Sequence, residues 1–274
     1  WRNHLRRFSQ HGASARTDIE MMVAMGRELL QGERPLAGGI SFGGPVDFRT
    51  GIVRLSHHVP GWENVPLQQK FEAAFQAPAR ADNDANVAAL GEWQFGAGRG
   101  VEDLLYVTVS TGVGGGWILD GRPYRGVAGV AGEIGHTVDD PKGSRCLCGK
   151  RGCVERLASG PYMAADVAEA RGIPATQVTG KVVAEWAAEG EKTAVAILER
   201  GAWALGVGLG NAANLLNPGR IILGGGVTKS GDQWWRLVRQ TAQATALPEV
   251  QFDIFPAAVE DDAPLGVAIT LAVK

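Results

Sequence analysis

The sequence predicts an α/β protein of two lobes. Three observations carry that prediction: apolar β-branched runs alternate with stretches of helical periodicity, polar residues sit where strand gives way to helix, and glycines gather in clusters after apolar runs. There are 39 glycines among 274 residues, twice the usual share of about 7%, and such clustering means tight loops that a neighbour approaches closely. The length suits one large domain or two medium ones. With 45% hydrophobic and 20% charged residues, a folded globular chain is expected and disorder is not. Lys and Arg number 27 against 29 Asp and Glu, a net charge of −2, so no general basic field exists to hold a nucleic-acid backbone.

Trp1–Arg7 reads as a sheet strand or a tail, and a chain opening on Trp1 rather than Met is expected to start downstream of the true start or to be processed. Thr17 and Glu20 form a capping box ahead of Ile19, Met22, Val23, Leu29 and Leu30, which predicts an amphipathic helix stopping at Gly32. Leu36–Phe42 reads as a short strand running into Gly43-Gly44-Pro45, and Gly51–Leu55 as another. Pro66–Phe75 is a helix with Leu67, Phe71 and Phe75 on one face. A strand at Ala79–Asp82 ends at Asn83-Asp84-Ala85-Asn86, and Val87–Phe95 follows as a helix. That order is how open α/β sheets present their sites.

Leu104–Ser110 is a strand, which Gly112–Gly116 turns, as a glycine loop, into a second strand near Trp117–Leu119; Asp120-Gly121-Arg122-Pro123 is the next turn. Helices are predicted at Pro161–Arg171, Lys181–Ala188 and Lys192–Leu216. The uncharged stretch between Arg200 and Arg220 carries glycines, three Asn and a Pro, too polar for a bilayer span, and reads as a buried helix. Ile221–Leu223 opens into Gly224-Gly225-Gly226, followed by a helix at Gln233–Thr245, a strand at Phe252–Phe255 and a final helix from Leu265 that is expected to pack back on the first lobe. The lobes are predicted as residues 1–98, incomplete at its start, and 99–274, with the break near Phe95–Glu102.

Three cysteines lie within Cys146–Cys153, an odd set that cannot pair off internally, so a reducing cytoplasm is expected. With His136 upstream they give H-x9-C-x-C-x4-C, the four ligands a closed structural zinc site takes, in a loop spanning residues 136–155. Gly149 and Gly152 let that loop fold around an ion. Buried reduced thiols are the bland alternative; a nucleic-acid-binding zinc knuckle is disfavoured by the acidity and by the large α/β body. In Gly132-Glu133-Ile134-Gly135-His136 a metal on one ring nitrogen would leave the other to address a ligand hydroxyl, and Glu133 reads otherwise as a surface carboxylate. Asp84 is either a helix N-cap or a general base at a strand's carboxyl end; spacing does not choose. Thr111-Gly112-Val113-Gly114-Gly115-Gly116 and Gly224-Gly225-Gly226 each follow an apolar strand, either as tight hairpins or as backbone cradles for phosphate or a nucleoside.

Together these motifs resemble the ROK group of sugar kinases and related repressors, members of the actin-like, hexokinase-like ATPase fold (ribonuclease H-like). The resemblance runs through Ile40–Asp47, Pro60-Gly61-Trp62, Asn83–Glu92, Ser110–Gly116, Gly132–His136 and Cys146–Gly160, and the pair G-E-I-G-H with C-x-C-G-x2-G-C-x-E is very specific. It implies ATP-dependent phosphorylation of a hexose or N-acetylhexosamine hydroxyl, glucose being the preferred sugar, with Asp84 as catalytic base. Gly44, Asn83, Asp84, Glu133, His136 and Glu155 would then bind the sugar. Thr111, Gly112 and Gly114 would meet ATP phosphates, Gly225 and Gly226 the adenosine, and Mg2+ would accompany the nucleotide. His136, Cys146, Cys148 and Cys153 would hold structural zinc. A homodimer is implied; no membrane partner is expected, nor a nucleic acid without an additional N-terminal domain, and the expected location stays cytoplasmic. The family's kinases start with a D-x-G-G-T phosphate hairpin that this sequence does not contain; Gly43-Gly44 replaces the usual proline–glycine, and Ser110 a frequent glycine. A sugar-sensing regulator that transfers no phosphate is therefore the alternative function, and its helix-turn-helix is not visible either.

Overall fold

The computed structural model describes residues 3–10, 12–56 and 59–259. The helix predicted from Leu265 lies outside them. Residues 3–10 carry neither helix nor strand, so the described part of the opening segment follows the tail reading. The described residues form two compact units, one running up to Gly91 together with Gly126–Val130, the other comprising Glu92–Arg125 and the chain from Ala131 on.

In the first unit helix α1 (Ala15–Leu30) starts earlier than the capping box predicted. Ser14, in extended conformation, is the N-cap, with its hydroxyl accepting the Thr17 N–H at 3.5 Å; Thr17 sits inside the first turn. Strand β1 (Gly38–Phe42) leads through Gly43-Gly44 to a short hairpin, β2 (Val46–Asp47) with β3 (Ile52–Val53). The strand expected over Gly51–Leu55 is thus two residues long, because Gly51, at φ +65°, turns the chain with its N–H on the Asp47 carbonyl. Helix α2 (Leu67–Phe75) precedes β4 (Ala79–Asn83), which pairs parallel with β1 and sets Phe42 opposite Asn83. Ile40, Val46, Val53, Trp62, Leu67 and Ala81 make this unit's core, with the Phe42 and Trp62 rings 4.6 Å apart. Helix α3 (Asp84–Phe95) follows β4 without a loop, three residues before the predicted start.

The second unit is built on a five-stranded sheet. Strands β5 (Leu104–Val109), β6 (Val113–Leu119) and β7 (Arg122–Tyr124) form an antiparallel meander, and β5 also pairs parallel with β8 (Arg220–Gly224), which pairs parallel with β9 (Asp253–Pro256). The spatial order is β7-β6-β5-β8-β9. Gly114, Gly115 and Gly116, expected as a loop, lie within β6 opposite Thr108, Val107 and Tyr106. Long-range packing explains the misreading: a methyl group on Gly115 would lie 2.6 Å from the Gly132 carbonyl oxygen, so a strand position must go without a side chain where another segment crosses it. The turn itself is only Ser110–Gly112.

Helices α4 (Val154–Ala158), α5 (Gly160–Arg171), α6 (Gly180–Ala188), α7 (Lys192–Leu216) and α8 (Asp232–Thr245) complete the unit. Leu105, Val107, Val109, Ile221 and Leu223 on one sheet face share a core with Met163 and Val167 of α5 and Leu205 and Leu209 of α7; Leu104 and Ile222, equally buried, alternate onto the other face. No described helix is long and apolar enough to cross a membrane. Two described polar side chains are sunk in this unit, Ser159 and Glu92, both fully buried, and the Glu92 carboxylate accepts N–H bonds from Ala97 (2.8 Å), Ala258 (3.2 Å) and Val259 (2.7 Å).

Candidate functional site

The first unit presents two junctions at the carboxyl ends of neighbouring parallel strands, the Gly43-Gly44 loop after β1 and the direct strand-to-helix step Asn83-Asp84 at the end of β4, the position at which parallel sheets offer backbone and side chains to a ligand. Asn83 binds them together. Its Nδ2 donates to the Gly44 carbonyl at 3.1 Å, and its Oδ1 accepts the N–H groups of Ala85 (3.0 Å) and Asn86 (3.3 Å). Asn83 is therefore the side chain that caps α3. Asp84 occupies the first turn, where the helix dipole favours a carboxylate; its Oδ1 accepts the Ala85 N–H at 2.8 Å, and its Oδ2 lies 3.6 Å from where a methyl on Gly43 would sit. Sequence reasoning missed Asp82, almost fully buried, whose Oδ1 accepts from the Asn83 N–H (2.8 Å) and Asn86 Nδ2 (3.2 Å) and so braces the junction. An acidic residue inside a strand otherwise read as apolar was the available signal.

The second unit gathers the remaining predicted side chains. Glu133 and His136 flank a single 3-10 turn at Ile134–His136, with Glu133 Oε2 3.9 Å from His136 Nε2. The ring's other nitrogen, Nδ1, lies 4.0 Å from Cys146 Sγ, and the sulfurs of Cys148 and Cys153 are 3.6 Å apart. One donor atom from each of His136, Cys146, Cys148 and Cys153 falls within 4.8 Å of all the others. Tetrahedral zinc with Zn–S bonds of ~2.3 Å sets its sulfurs about 3.8 Å apart, so this donor set fits the ion in both chemistry and spacing. The loop closes through Cys146 N–H on the Lys150 carbonyl and Gly149 N–H on the Cys146 carbonyl, while Lys150 Nζ donates to the His136 carbonyl at 2.7 Å. Gly149 and Gly152 take φ values of +90° and +62° there. All three cysteines are free thiols. Burial, reinforced by the neighbouring thiols, pushes Cys153 up to about 12, and burial also raises Cys146; on Cys148, burial is outweighed by the Lys150 N–H and its neighbours, which pull it below the usual thiol value. A cation that displaces those protons removes the conflict. Beside the loop, Asp139 has a buried Oδ2 without a hydrogen-bond partner, and burial pushes its carboxyl up to about 6.

Glu155 projects from α4, and its Oε2 accepts the Val113 N–H at 3.0 Å, at the end of the Ser110–Gly112 turn. That turn borders a cavity of about 950 Å3 whose walls include Ser110, Thr111, Ala164, Val178, Gly180 and Gly226. Helices α5 and α6 both open onto it with their N-terminal residues, Gly160 and Gly180. Small apolar walls with helix N-termini at one end suit a flat heterocycle carrying an anion. Thr111 and Gly226 line the cavity; Gly112 and Gly225 adjoin those lining residues in sequence, and Gly114 pairs within the sheet. Gly225 must be glycine: at φ +90°, a methyl would meet the Val109 carbonyl oxygen at 2.5 Å. The α5 and α6 walls went unread in the sequence because alanines on a helix carry no chemical signal.

Three likenesses bear on this arrangement. A glucokinase of Halalkalibacterium halodurans is 39% identical over 228 residues, 77% of this chain and 68% of that protein. A xylose repressor of Caldicellulosiruptor bescii is 34% identical over 74% of this chain and 53% of that one. A crystal structure of a ROK family glucokinase from Streptomyces griseus in complex with glucose and AMPPNP matches with a TM-score of 0.83 and 31% identity, covering 95% of this chain and 88% of that one. The fold is that of the actin-like, hexokinase-like ATPases, as the motifs led us to expect. The family model described as ROK family matches residues 13–274, and on that match the chain belongs to the ROK family.

Proposed function

We propose that this chain is an ATP-dependent sugar kinase that phosphorylates a hydroxyl of a hexose or N-acetylhexosamine, with glucose the first sugar to test. The observation that carries the reading is the cavity of about 950 Å3 beside Thr111, roomy enough for a nucleotide and reached by the N-terminal residues of α5 and α6, on a turn held by a carboxylate of the predicted sugar set. The glucokinase relative and the glucose- and AMPPNP-bound neighbour support the same pairing of ligands.

Little covalent chemistry is asked of the protein in phosphoryl transfer; it must hold a hydroxyl in line with the γ-phosphate and remove its proton. Asp84 accepts that proton as the sugar oxygen bonds to the γ-phosphorus and the bond to the ADP oxygen breaks. Glu133, His136 and Glu155 accept or donate to sugar hydroxyls, and Asn83 holds Gly44 so that the loop presents its backbone. Mg2+ bound with the nucleotide would supply neutralisation of the phosphate charge. His136 Nδ1 and the three thiolates would hold zinc, which supplies folding energy and fixes the imidazole so that Nε2 faces the guest.

The test is ADP release over a panel of sugars, with wild type beside Asp84→Asn. Turnover should fall by about 10²–10⁴ while sugar affinity stays within a few-fold. Equal loss of both would remove Asp84 from the base role. The xylose repressor relative supports a second reading, a sugar-binding regulator; sugar binding by wild type without any ADP release would favour it.

A further inference from the structure

The predicted sugar ligands include Glu155, yet one of its oxygens is already engaged elsewhere. Oε2 accepts the backbone N–H of Val113 at 3.0 Å, and it lies 2.8 Å from where a methyl on Gly112 would sit. The turn from Ser110 to Val113 is held by three described hydrogen bonds. Ser110 N–H donates to the Gly112 carbonyl (2.8 Å), Gly160 N–H at the start of α5 donates to the Ser110 carbonyl (2.9 Å), and Val113 N–H donates to Glu155. The first two are backbone to backbone. Only the third, among the described residues, comes from a side chain, and it is charge-assisted, the stronger kind.

We infer that Glu155 is a positioning residue of the nucleotide turn: by holding the Val113 amide it sets the Thr111 and Gly112 peptide groups that border the cavity, so one carboxylate links the sugar side of the reaction to the nucleotide side. The inference rests on the kinase reading and deepens it. Oε1 is the atom left to a sugar hydroxyl, and Oε2 is committed to the turn. A hydroxyl that pulls on Oε1 also tightens or loosens Oε2 on Val113, and thermodynamic reciprocity requires that nucleotide then change sugar affinity by the same factor.

Gly112 supplies an independent handle, since it lies outside the left-handed region of backbone space and tolerates alanine except for the carboxylate facing it. Four proteins are compared by calorimetric titration with AMPPNP in the absence of sugar: wild type, Glu155→Ala, Gly112→Ala and the double variant. Loss of one charge-assisted hydrogen bond should weaken AMPPNP about tenfold in each single variant, and the double variant should be no weaker than Glu155→Ala, because the methyl then occupies space the carboxylate has left. Glu155→Gln, which keeps an acceptor, should recover part of the loss. A residue that touched only sugar would leave sugar-free AMPPNP binding unchanged in Glu155→Ala, and that result overturns the inference while the kinase reading stands. Hydrogen exchange at the Val113 amide decides the matter without nucleotide. Protection in wild type lost in Glu155→Ala upholds the tether, and equal exchange in both overturns it. Failure of wild type to bind AMPPNP at all would instead strike the kinase reading.

Discussion

Asn83 is where the structure makes the sharpest quantitative demand. Its side chain performs two jobs at once, accepting two helix N–H groups through Oδ1 and donating to the Gly44 carbonyl through Nδ2. Removing an N-cap costs about 0.5–2 kcal/mol, and the lost bond to Gly44 adds about 1 kcal/mol, so Asn83→Ala should destabilise by roughly 1.5–3 kcal/mol. In a chain of this size that is a fall in Tm of roughly 3–12 °C. Asn83→Asp separates the two jobs. Its carboxylate still caps α3, with help from the helix dipole, and only the bond to Gly44 disappears, a loss of about 1 kcal/mol. Thermal and urea unfolding followed by circular dichroism should therefore rank wild type above Asp above Ala. An alanine variant as stable as wild type, or an aspartate variant as damaged as alanine, would refute the double role and return Asn83 to a ligand contact alone.

Other expectations follow from the cysteine loop. Elemental analysis should find one zinc per chain, and a thiol reagent should reach Cys146, Cys148 and Cys153 only after a strong chelator is added; three freely reacting thiols in the untreated protein would contradict the tetrahedral cluster. The raised carboxyl of Asp139 has a definite sign. A folded-state value of about 6 against an unfolded value near 3.9 means the folded form binds more protons between the two, so this group's contribution to stability falls as pH rises from about 4 to 6 and stays low above it. Asp139→Asn should then raise Tm at pH 7 relative to wild type, by less at pH 4; no difference between the two pH values would show that burial does not perturb this carboxyl.

How much of this was legible beforehand depended on the range of the forces involved. Helix α7 was read with its bounds intact, because apolar spacing over many turns is a local and repeated signal. The Cys and His cluster was read from spacing for the same reason: ligand chemistry names itself. Gly115 in β6 was misread because its need for glycine comes from the Gly132 backbone, which is not its neighbour in sequence. At α1, the Thr17 and Glu20 pair fitted the capping-box spacing, but the hydroxyl that caps is Ser14, three residues earlier. Asp84 shows the intermediate case. The sequence left it between cap and base, and the structure assigns capping to its neighbour Asn83. The double use of Glu155 was beyond reach, since nothing near it in sequence points to Val113.

The burial of Glu92 has a consequence for how the molecule is made. Its carboxylate finds its amides at Ala97, nearby, and at Ala258 and Val259, 166 and 167 positions further along. During synthesis the early part of the second unit must wait, with that acid still hydrated, until residues 258 and 259 have left the ribosome. Closure of so long a loop is slow, so this contact forms late, and a nascent chain stalled before residue 258 would leave Glu92 without two of its three amides.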